Sequence, residues 1–193
     1  MYSGHFNLFG LLEFVARNPI LFGEKKGKKW VYGEKVKELI KEVPIDFGGW
    51  YLWGKFNDVG WWETVYCGKA GKRKITSLRS RLSDELREEA ICFWASVYGR
   101  EDTLKQFSKL YNGKYDSSST RSLRKMGAQF VIWVAAEKEI SEDEISRQEK
   151  IMIRIFRPTH NALRSVHIEA DDLTKRIEHQ IEEELTKIRK VIY

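Results

Sequence analysis

The stretch GGWYLWGKFNDVGWWETVYCGKAGK, residues 48–72, contains two aromatic-rich runs separated by the short sequence NDVG. Tyrosine and tryptophan favour β-structure, and a polar segment with a glycine between two such runs is typical of a hairpin. If the chain turns at the central DV pair, Tyr51 lies opposite Tyr66, and Gly49 lies opposite Gly68. Residues that face each other share one side of a sheet, so both hydroxyls are predicted to lie together beside exposed glycine backbone.

This predicted surface is a candidate phosphate-binding groove. The opposite side of the hairpin is expected to enter the core. An ordinary hairpin with aromatic pairs across its strands explains the same pattern, and a slip of one residue would separate the tyrosines. The residues predicted on the core side are Trp50, Leu52, Val65 and Cys67.

The composition suits one domain with a basic surface. The chain has 193 residues, and 34 Lys and Arg against 28 Asp and Glu give a formal charge of +6. This balance fits a polyanionic partner but does not require one. The two cysteines, Cys67 and Cys92, have no metal or disulfide spacing, which predicts a reducing, cytoplasmic setting. Charges at Glu13 and Arg17 interrupt the apolar N-terminal segment, so no signal peptide or membrane span is predicted.

Outside the hairpin, the chain alternates predicted helices with one further strand. Apolar residues at helical spacing predict the helices, and Ser, Thr and Asp mark where several of them begin. A long apolar stripe near the C-terminus must bury against this chain or against a second copy. The helices are predicted at residues 6–17, 34–42, from Thr76 or Ser77 onward, from Ser141 to Pro158 and at about 171–191, and the strand at 130–135.

Glu149 lies where a core residue is expected. It falls on the helical stripe that Ile145, Met152 and Phe156 form, although acidic side chains are rarely buried without a partner. A structural ion pair with an arginine is one explanation. A hard cation such as Mg²⁺ is the other, because that ion takes one or two protein carboxylates and completes its shell with water and phosphate. Further along, Asn161 follows a proline-terminated helix and can both donate and accept hydrogen bonds.

Taken together, these residues resemble the GIY-YIG nuclease superfamily over residues 48–163. Trp50 and Cys67 replace the usual isoleucines, and Glu85 stands where many members carry histidine or tyrosine. The matching residues are GWY at 49–51, YCG at 66–68, LRSRL at 78–82, and then Glu149, Pro158 and Asn161.

The resemblance implies an α+β fold with a small three-stranded antiparallel sheet flanked by helices. The whole chain is then a single domain with extra helices at both ends. Its expected parts are an N-terminal helical extension at 1–47, a nuclease core at 48–163, a helical insertion at 94–127 and a C-terminal helix at 164–193.

The resemblance also implies a Mg²⁺-dependent endonuclease acting on DNA, with Mn²⁺ as a substitute metal. Glu149 is expected to hold the metal. Tyr51 is expected to act as the base for the attacking water, with Tyr66 as its hydrogen-bond partner. Lys69, Arg81 and the metal would have to lower the tyrosine pKa for this role. Arg81 is expected to clamp the scissile phosphate, and Asn161 to lock the architecture around the metal.

Basic residues beside the proposed groove are expected to bind DNA phosphates. Lys69 extends the second triplet and is counted with the catalytic set, and Arg79 is a rival of Arg81 for the arginine role. A solvated loop explains the same charges. The predicted DNA-binding residues are Lys72, Arg73, Lys74, Arg79, Arg121 and Arg124.

The sequence is consistent with two functions from different classes. A compact, stand-alone restriction-type endonuclease is one, and a homodimer would allow it to cut both strands. A non-catalytic nucleic-acid-binding module that keeps the fold is the other, and Glu85 leaves room for it. No membrane partner is expected.

Overall fold

In the computed structural model, strands and helices are arranged around one main sheet. The described residues are 1–17, 25–26, 29–30, 33–86, 127–159, 161 and 169–192. In chain order, the elements are β1 (Tyr2–Asn7), α1 (Phe9–Arg17), β2 (Lys25–Lys26), β3 (Lys29–Trp30), α2 (Gly33–Leu39), β4 (Gly49–Phe56), β5 (Trp62–Ala70), α3 (Leu78–Glu85), β6 (Phe130–Ala135), α4 (Glu142–Phe156) and α5 (Asp172–Ile192).

The main sheet has four antiparallel strands in the order β1, β6, β4, β5, and β2 pairs with β3 in a separate two-stranded ribbon. The α+β class is therefore confirmed, but the expected count of three strands is wrong. The fourth strand is β1, which occupies part of the segment predicted as a purely helical extension. Phe6 was assigned to the first helix, whereas it lies in β1 opposite Val131.

Helices cover both faces of this sheet. On one face, α1, α2 and α3 bury their apolar residues against Tyr51, Trp53 and Trp133. On the other face, α4 and α5 pack against Trp50, Leu52 and neighbouring residues of β6. Because side chains alternate along a strand, adjacent residues of β4 enter different cores.

The β4–β5 hairpin forms as predicted, but its register differs from the expected one by two residues. Tyr51 lies opposite Gly68 and Trp53 lies opposite Tyr66. The loop of residues 57–61 accounts for one residue of the difference, and a bulge at Val65 accounts for the other. At the tyrosines the shift is two residues, which keeps their side chains on the predicted face, so the tyrosines still share one side of the sheet.

The bulge changes the position of Val65 itself. Val65 was predicted with Trp50, Leu52 and Cys67, but it packs in the core that contains Tyr51. The extra residue rotates the local chain, so the strict alternation on which the prediction rested fails at this point.

Both predicted serine caps are present. Ser77 accepts a hydrogen bond from the backbone of Ser80 at the start of α3, and Ser141 accepts one from Glu144 at the start of α4. Helix α4 ends at Phe156, because Arg157 adopts a left-handed conformation and Pro158 follows.

Helix α5 buries its apolar stripe inside the protein. Ile177, Ile181, Leu185 and Ile188 pack in the same core as Ile132 of β6. The stripe therefore does not offer a free dimer surface. Among the described residues, no helix combines the length and the apolar character that crossing a bilayer requires.

Candidate active site

The two tyrosines lie side by side on one face of the hairpin. Their ring centroids are 6.3 Å apart and the rings are tilted by 43°. Tyr51 is 1% exposed, whereas Tyr66 is only partly buried. Tyr66 is therefore the tyrosine that can meet solvent or a substrate.

The predicted glycine-lined groove is wrong. Gly68 is buried under the ring of Tyr51, since a Cβ atom at residue 68 would lie 2.5 Å from Cζ of that ring. Gly49 is buried inside the sheet, where a Cβ atom would lie 2.1 Å from the carbonyl oxygen of Val134. Both glycines allow close packing, so neither can form the floor of a phosphate site.

Helix α3 brings a guanidinium and a carboxylate to the Tyr51 hydroxyl. The hydroxyl donates to Oε1 of Glu85 over 2.6 Å, and Nε of Arg81 lies 3.0 Å from the same oxygen. The distance from Nε of Arg81 to the Tyr51 oxygen is 3.5 Å. Arg81 and Glu85 are four residues apart, a spacing that places both on one side of the helix.

Arg79, the other candidate for the arginine role, bonds to backbone away from the tyrosines. Nε and Nη2 of Arg79 donate to the backbone carbonyls of Val43 and Lys41, over 2.5 and 2.6 Å. These bonds attach α3 to the segment after α2. Of the two arginines, Arg81 is thus the one beside the tyrosines.

Glu149 lies on α4, which packs against the edge strand β5. It is partly buried on α4, and burial raises the pKa of its carboxyl, against the opposing charges of Lys69, Lys150 and Arg81. Its own charge in turn raises the pKa of Tyr66. Groups from β4, β5, α3 and α4 therefore converge around one edge of the sheet.

Asn161 binds the backbone of the edge strand. Its side chain accepts a hydrogen bond from the amide of Cys67 over 2.8 Å and donates to the Cys67 carbonyl over 2.9 Å. The backbone of Thr159 also donates to Thr64. The segment after Pro158 consequently satisfies the outer backbone groups of β5 next to Tyr66.

Some of the predicted basic residues form hydrogen bonds within the protein, and others are exposed to solvent. The amine of Lys69 donates to the hydroxyl of Ser146, and the amine of Lys72 donates to the backbone carbonyl of Lys138. Arg73 and Lys74 are exposed just before α3. Arg121, Arg124 and almost all of the predicted insertion at 94–127 lie outside the described residues.

The protein's own positive charges do not lower the pKa of either tyrosine. Burial, and then the charge of Glu85, raises the pKa of Tyr51 well above its ordinary value. Burial and the charges of Glu85 and Glu149 also raise the pKa of Tyr66. Arg81 opposes both shifts but does not overcome them, because burial acts together with one carboxylate at Tyr51 and with two at Tyr66.

The donor set fits one weakly held hard cation. Glu149 is a partly buried carboxylate, and it makes no hydrogen bond to the part of the chain that the structure describes. That part contains no group of three or more His, Cys, Asp or Glu side chains arranged to hold a metal. A single carboxylate suits Mg²⁺, which takes its remaining ligands from water and a bound phosphate.

Protein-family models, curated proteins and solved structures were all compared with this chain, and none matches it. The arrangement of the site is therefore the main guide to its chemistry.

Sequence analysis identified Tyr51 and Lys69 as site residues but did not predict their hydrogen-bond partners, Glu85 and Ser146. Glu85 was noted only as a departure from a family pattern, although its spacing from Arg81 is that of a helical ion pair. Ser146, which binds Lys69, carries no recognisable signal in the sequence.

Proposed function

We propose that this chain is a Mg²⁺-dependent endonuclease that hydrolyses DNA phosphodiester bonds, with a site of the GIY-YIG type. Under this proposal, the three strands that the resemblance implies are β6, β4 and β5 of the four-stranded sheet. We place it with the compact restriction-type members, in a cytoplasmic restriction system.

One observation carries this proposal. Tyr51, Tyr66, Arg81 and Glu149 come from four different elements and influence one another around the edge strand β5. A phenol, a guanidinium and a carboxylate in a partly open site can orient water, stabilise a phosphate and hold a metal, which are the roles that phosphoryl transfer to water uses.

Glu149 is the residue that would hold the metal, because it is the carboxylate at the solvent side of the cluster. Mg²⁺ or Mn²⁺, when bound, supplies Lewis-acid polarisation of a phosphoryl oxygen and offsets developing negative charge. Asn161 keeps β5 in place beneath this carboxylate through its two bonds to Cys67.

We assign the water-facing role to Tyr66 and not to Tyr51. Tyr51 is buried and its proton is directed at Glu85, so it cannot also contact the attacking water. Tyr66 keeps its proton at neutral pH and orients the water by hydrogen bonding. As the water oxygen bonds to phosphorus it gives up a proton to surrounding solvent, the bond from phosphorus to the leaving sugar oxygen breaks, and that sugar oxygen takes up a proton from solvent.

Arg81 stabilises the phosphate during this step. Its side chain is 39% exposed, and its charge adds to that of Lys69 near Glu149. The exposed Arg73 and Lys74 extend the positive surface toward the neighbouring phosphates of the strand.

Plasmid cleavage tests the proposal directly. With Mg²⁺ the parent protein is expected to nick or cut supercoiled DNA, and Glu149→Ala and Glu149→Gln are expected to abolish cutting. Both variants should still bind DNA in the presence of Ca²⁺. Asp143→Asn is the matched control, because Asp143 is an exposed acid on the same helix. Cutting by Glu149→Ala at the parent rate would refute the assigned site.

The alternative function is a non-catalytic DNA-binding module. The bond from Tyr51 to Glu85 favours it, since it removes one hydroxyl from the set that family members use. Binding without cleavage, at every Mg²⁺ and Mn²⁺ concentration, would decide for this alternative. A homodimer remains part of the nuclease proposal, with an interface other than the buried stripe of α5.

A further inference from the structure

Glu85 is a buried carboxylate that joins a phenol to a guanidinium. Its side chain is 5% exposed, at the end of α3 and beneath the hairpin. Acidic residues are seldom buried to this degree unless they are paired and hydrogen-bonded. The proposed hydrolysis itself assigns Glu85 no task.

A single oxygen of Glu85 engages both neighbours. Oε1 accepts the Tyr51 proton over 2.6 Å and lies 3.0 Å from Nε of Arg81. Nε of Arg81 also lies 3.5 Å from the Tyr51 oxygen. The three groups therefore form a closed triangle, in which moving any one of them disturbs the other two.

This triangle determines which part of Arg81 can meet a ligand. A guanidinium is planar and carries its donors in a rigid fork, with Nε on one side and the two Nη atoms at the far end. The Nε side donates to the Tyr51 oxygen and forms an ion pair with Oε1 of Glu85. Neither Nη atom makes a hydrogen bond to a residue in the described ranges, and 39% of the side chain is exposed.

We propose that Glu85 is a positioning residue, which holds Arg81 so that its two Nη atoms form a paired contact with the scissile DNA phosphate. This inference rests on the proposed function, and it names the phosphate contact of that same site. Two parallel N–H donors match two phosphate oxygens, whereas a freely rotating arginine would lose this arrangement.

Cleavage by Glu85 variants provides the first test. Glu85→Gln keeps the shape and one acceptor oxygen, and its single-turnover cleavage rate is expected to fall about 10-fold; for Glu85→Ala the expected fall is about 100-fold. The DNA dissociation constant in Ca²⁺ should change by less than about 3-fold for both variants. Glu182→Gln, which removes an exposed acid on α5, should cut at the parent rate.

A second readout does not depend on cleavage. In ¹⁵N NMR spectra, the Nε–H signal of Arg81 is identified by its loss in Arg81→Lys. It should exchange slowly with water in the parent protein and at least about 10-fold faster in Glu85→Ala. Adding a short DNA duplex with Ca²⁺ should shift the Nη signals of the parent but not those of Glu85→Ala. If Glu85→Ala does not fold, Glu85→Gln supplies the same comparison with smaller changes.

The two readouts separate failure of this inference from failure of the proposed function. If the parent protein binds DNA but never cuts it, the hydrolysis proposal fails, and the NMR comparison still decides the role of Glu85. Equal exchange rates for Arg81 in parent and variant, or cleavage by Glu85→Ala at the parent rate, would overturn the positioning role.

Discussion

The phenol ring of Tyr51 occupies the space that a side chain at Gly68 would need. A Cβ atom at residue 68 would lie 2.5 Å from Cζ and 2.6 Å from the hydroxyl oxygen of Tyr51. Tyr51 therefore requires a glycine at residue 68, across the paired strands. Because the same hydroxyl binds Glu85, a change at Gly68 reaches α3 as well.

Gly68→Ala is expected to destabilise the protein by about 1–3 kcal/mol, since the added methyl group displaces a buried ring. It should also reduce cleavage, because Tyr51 and its partner Glu85 must move. Urea unfolding measures the first effect. Gly10→Ala is the control: Gly10 is exposed on α1 with nothing near its Cβ position, so stability should stay equal or rise by about 0.5–1 kcal/mol.

The two arginines of α3 should respond differently to replacement. Arg81→Ala is expected to lower the single-turnover cleavage rate by about 10²–10³-fold, the range for loss of one charge-stabilising donor. Arg79→Ala removes two bonds to backbone carbonyls and should cost about 1–3 kcal/mol of stability with little effect on cleavage. The reverse pattern would assign the phosphate contact to Arg79.

Asn161→Ala should weaken the edge strand. The variant loses the donor and the acceptor that pair with Cys67, at a cost of about 1–3 kcal/mol. Hydrogen exchange of the Cys67 amide should accelerate more than the global stability loss explains. Asn161→Asp keeps the acceptor oxygen, so its Cys67 amide should stay protected. Equal protection of this amide in the parent and Asn161→Ala would contradict the proposed locking role.

Stability at alkaline pH should depend on the hairpin tyrosines. Their raised pKa values mean that the unfolded state loses these protons first, so their contribution is complete below about pH 10 and is lost as pH rises further. The free energy of unfolding of Tyr51→Phe should therefore fall less steeply above about pH 10, by up to about 1.4 kcal/mol per pH unit. Tyr2→Phe, at a 65% exposed position, should follow the parent slope.

Neighbouring aspartates at the start of α5 offer a matched comparison. Asp171 accepts bonds from the backbone of Thr174 and from Gln148 of α4, whereas Asp172 is 96% exposed. Asp171→Ala should cost about 1–2 kcal/mol as a lost helix cap, and more if the contact between α4 and α5 loosens. Asp172→Ala should change stability by less than about 0.5 kcal/mol. Thermal unfolding of the two variants checks both values.

The sequence by itself determined the elements whose signals are local. The caps at Ser77 and Ser141 form within three residues of chain, and the apolar run at 130–135 is β6 as predicted. The hairpin and the shared face of its tyrosines were also predictable, because alternation along a strand survives a shift of two residues.

Only the tertiary structure decided the rest. The bulge at Val65, the extra strand β1 and the burial of Gly68 under Tyr51 depend on packing between distant segments. The same holds for Glu85. The sequence showed only that it replaces the histidine or tyrosine of many family members, whereas the structure shows that it accepts the hydrogen bond of a buried tyrosine. Spacing along a chain indicates which side chains share a face. A contact also depends on how the strands are paired and how deeply each side chain is buried, and packing of the whole core determines both.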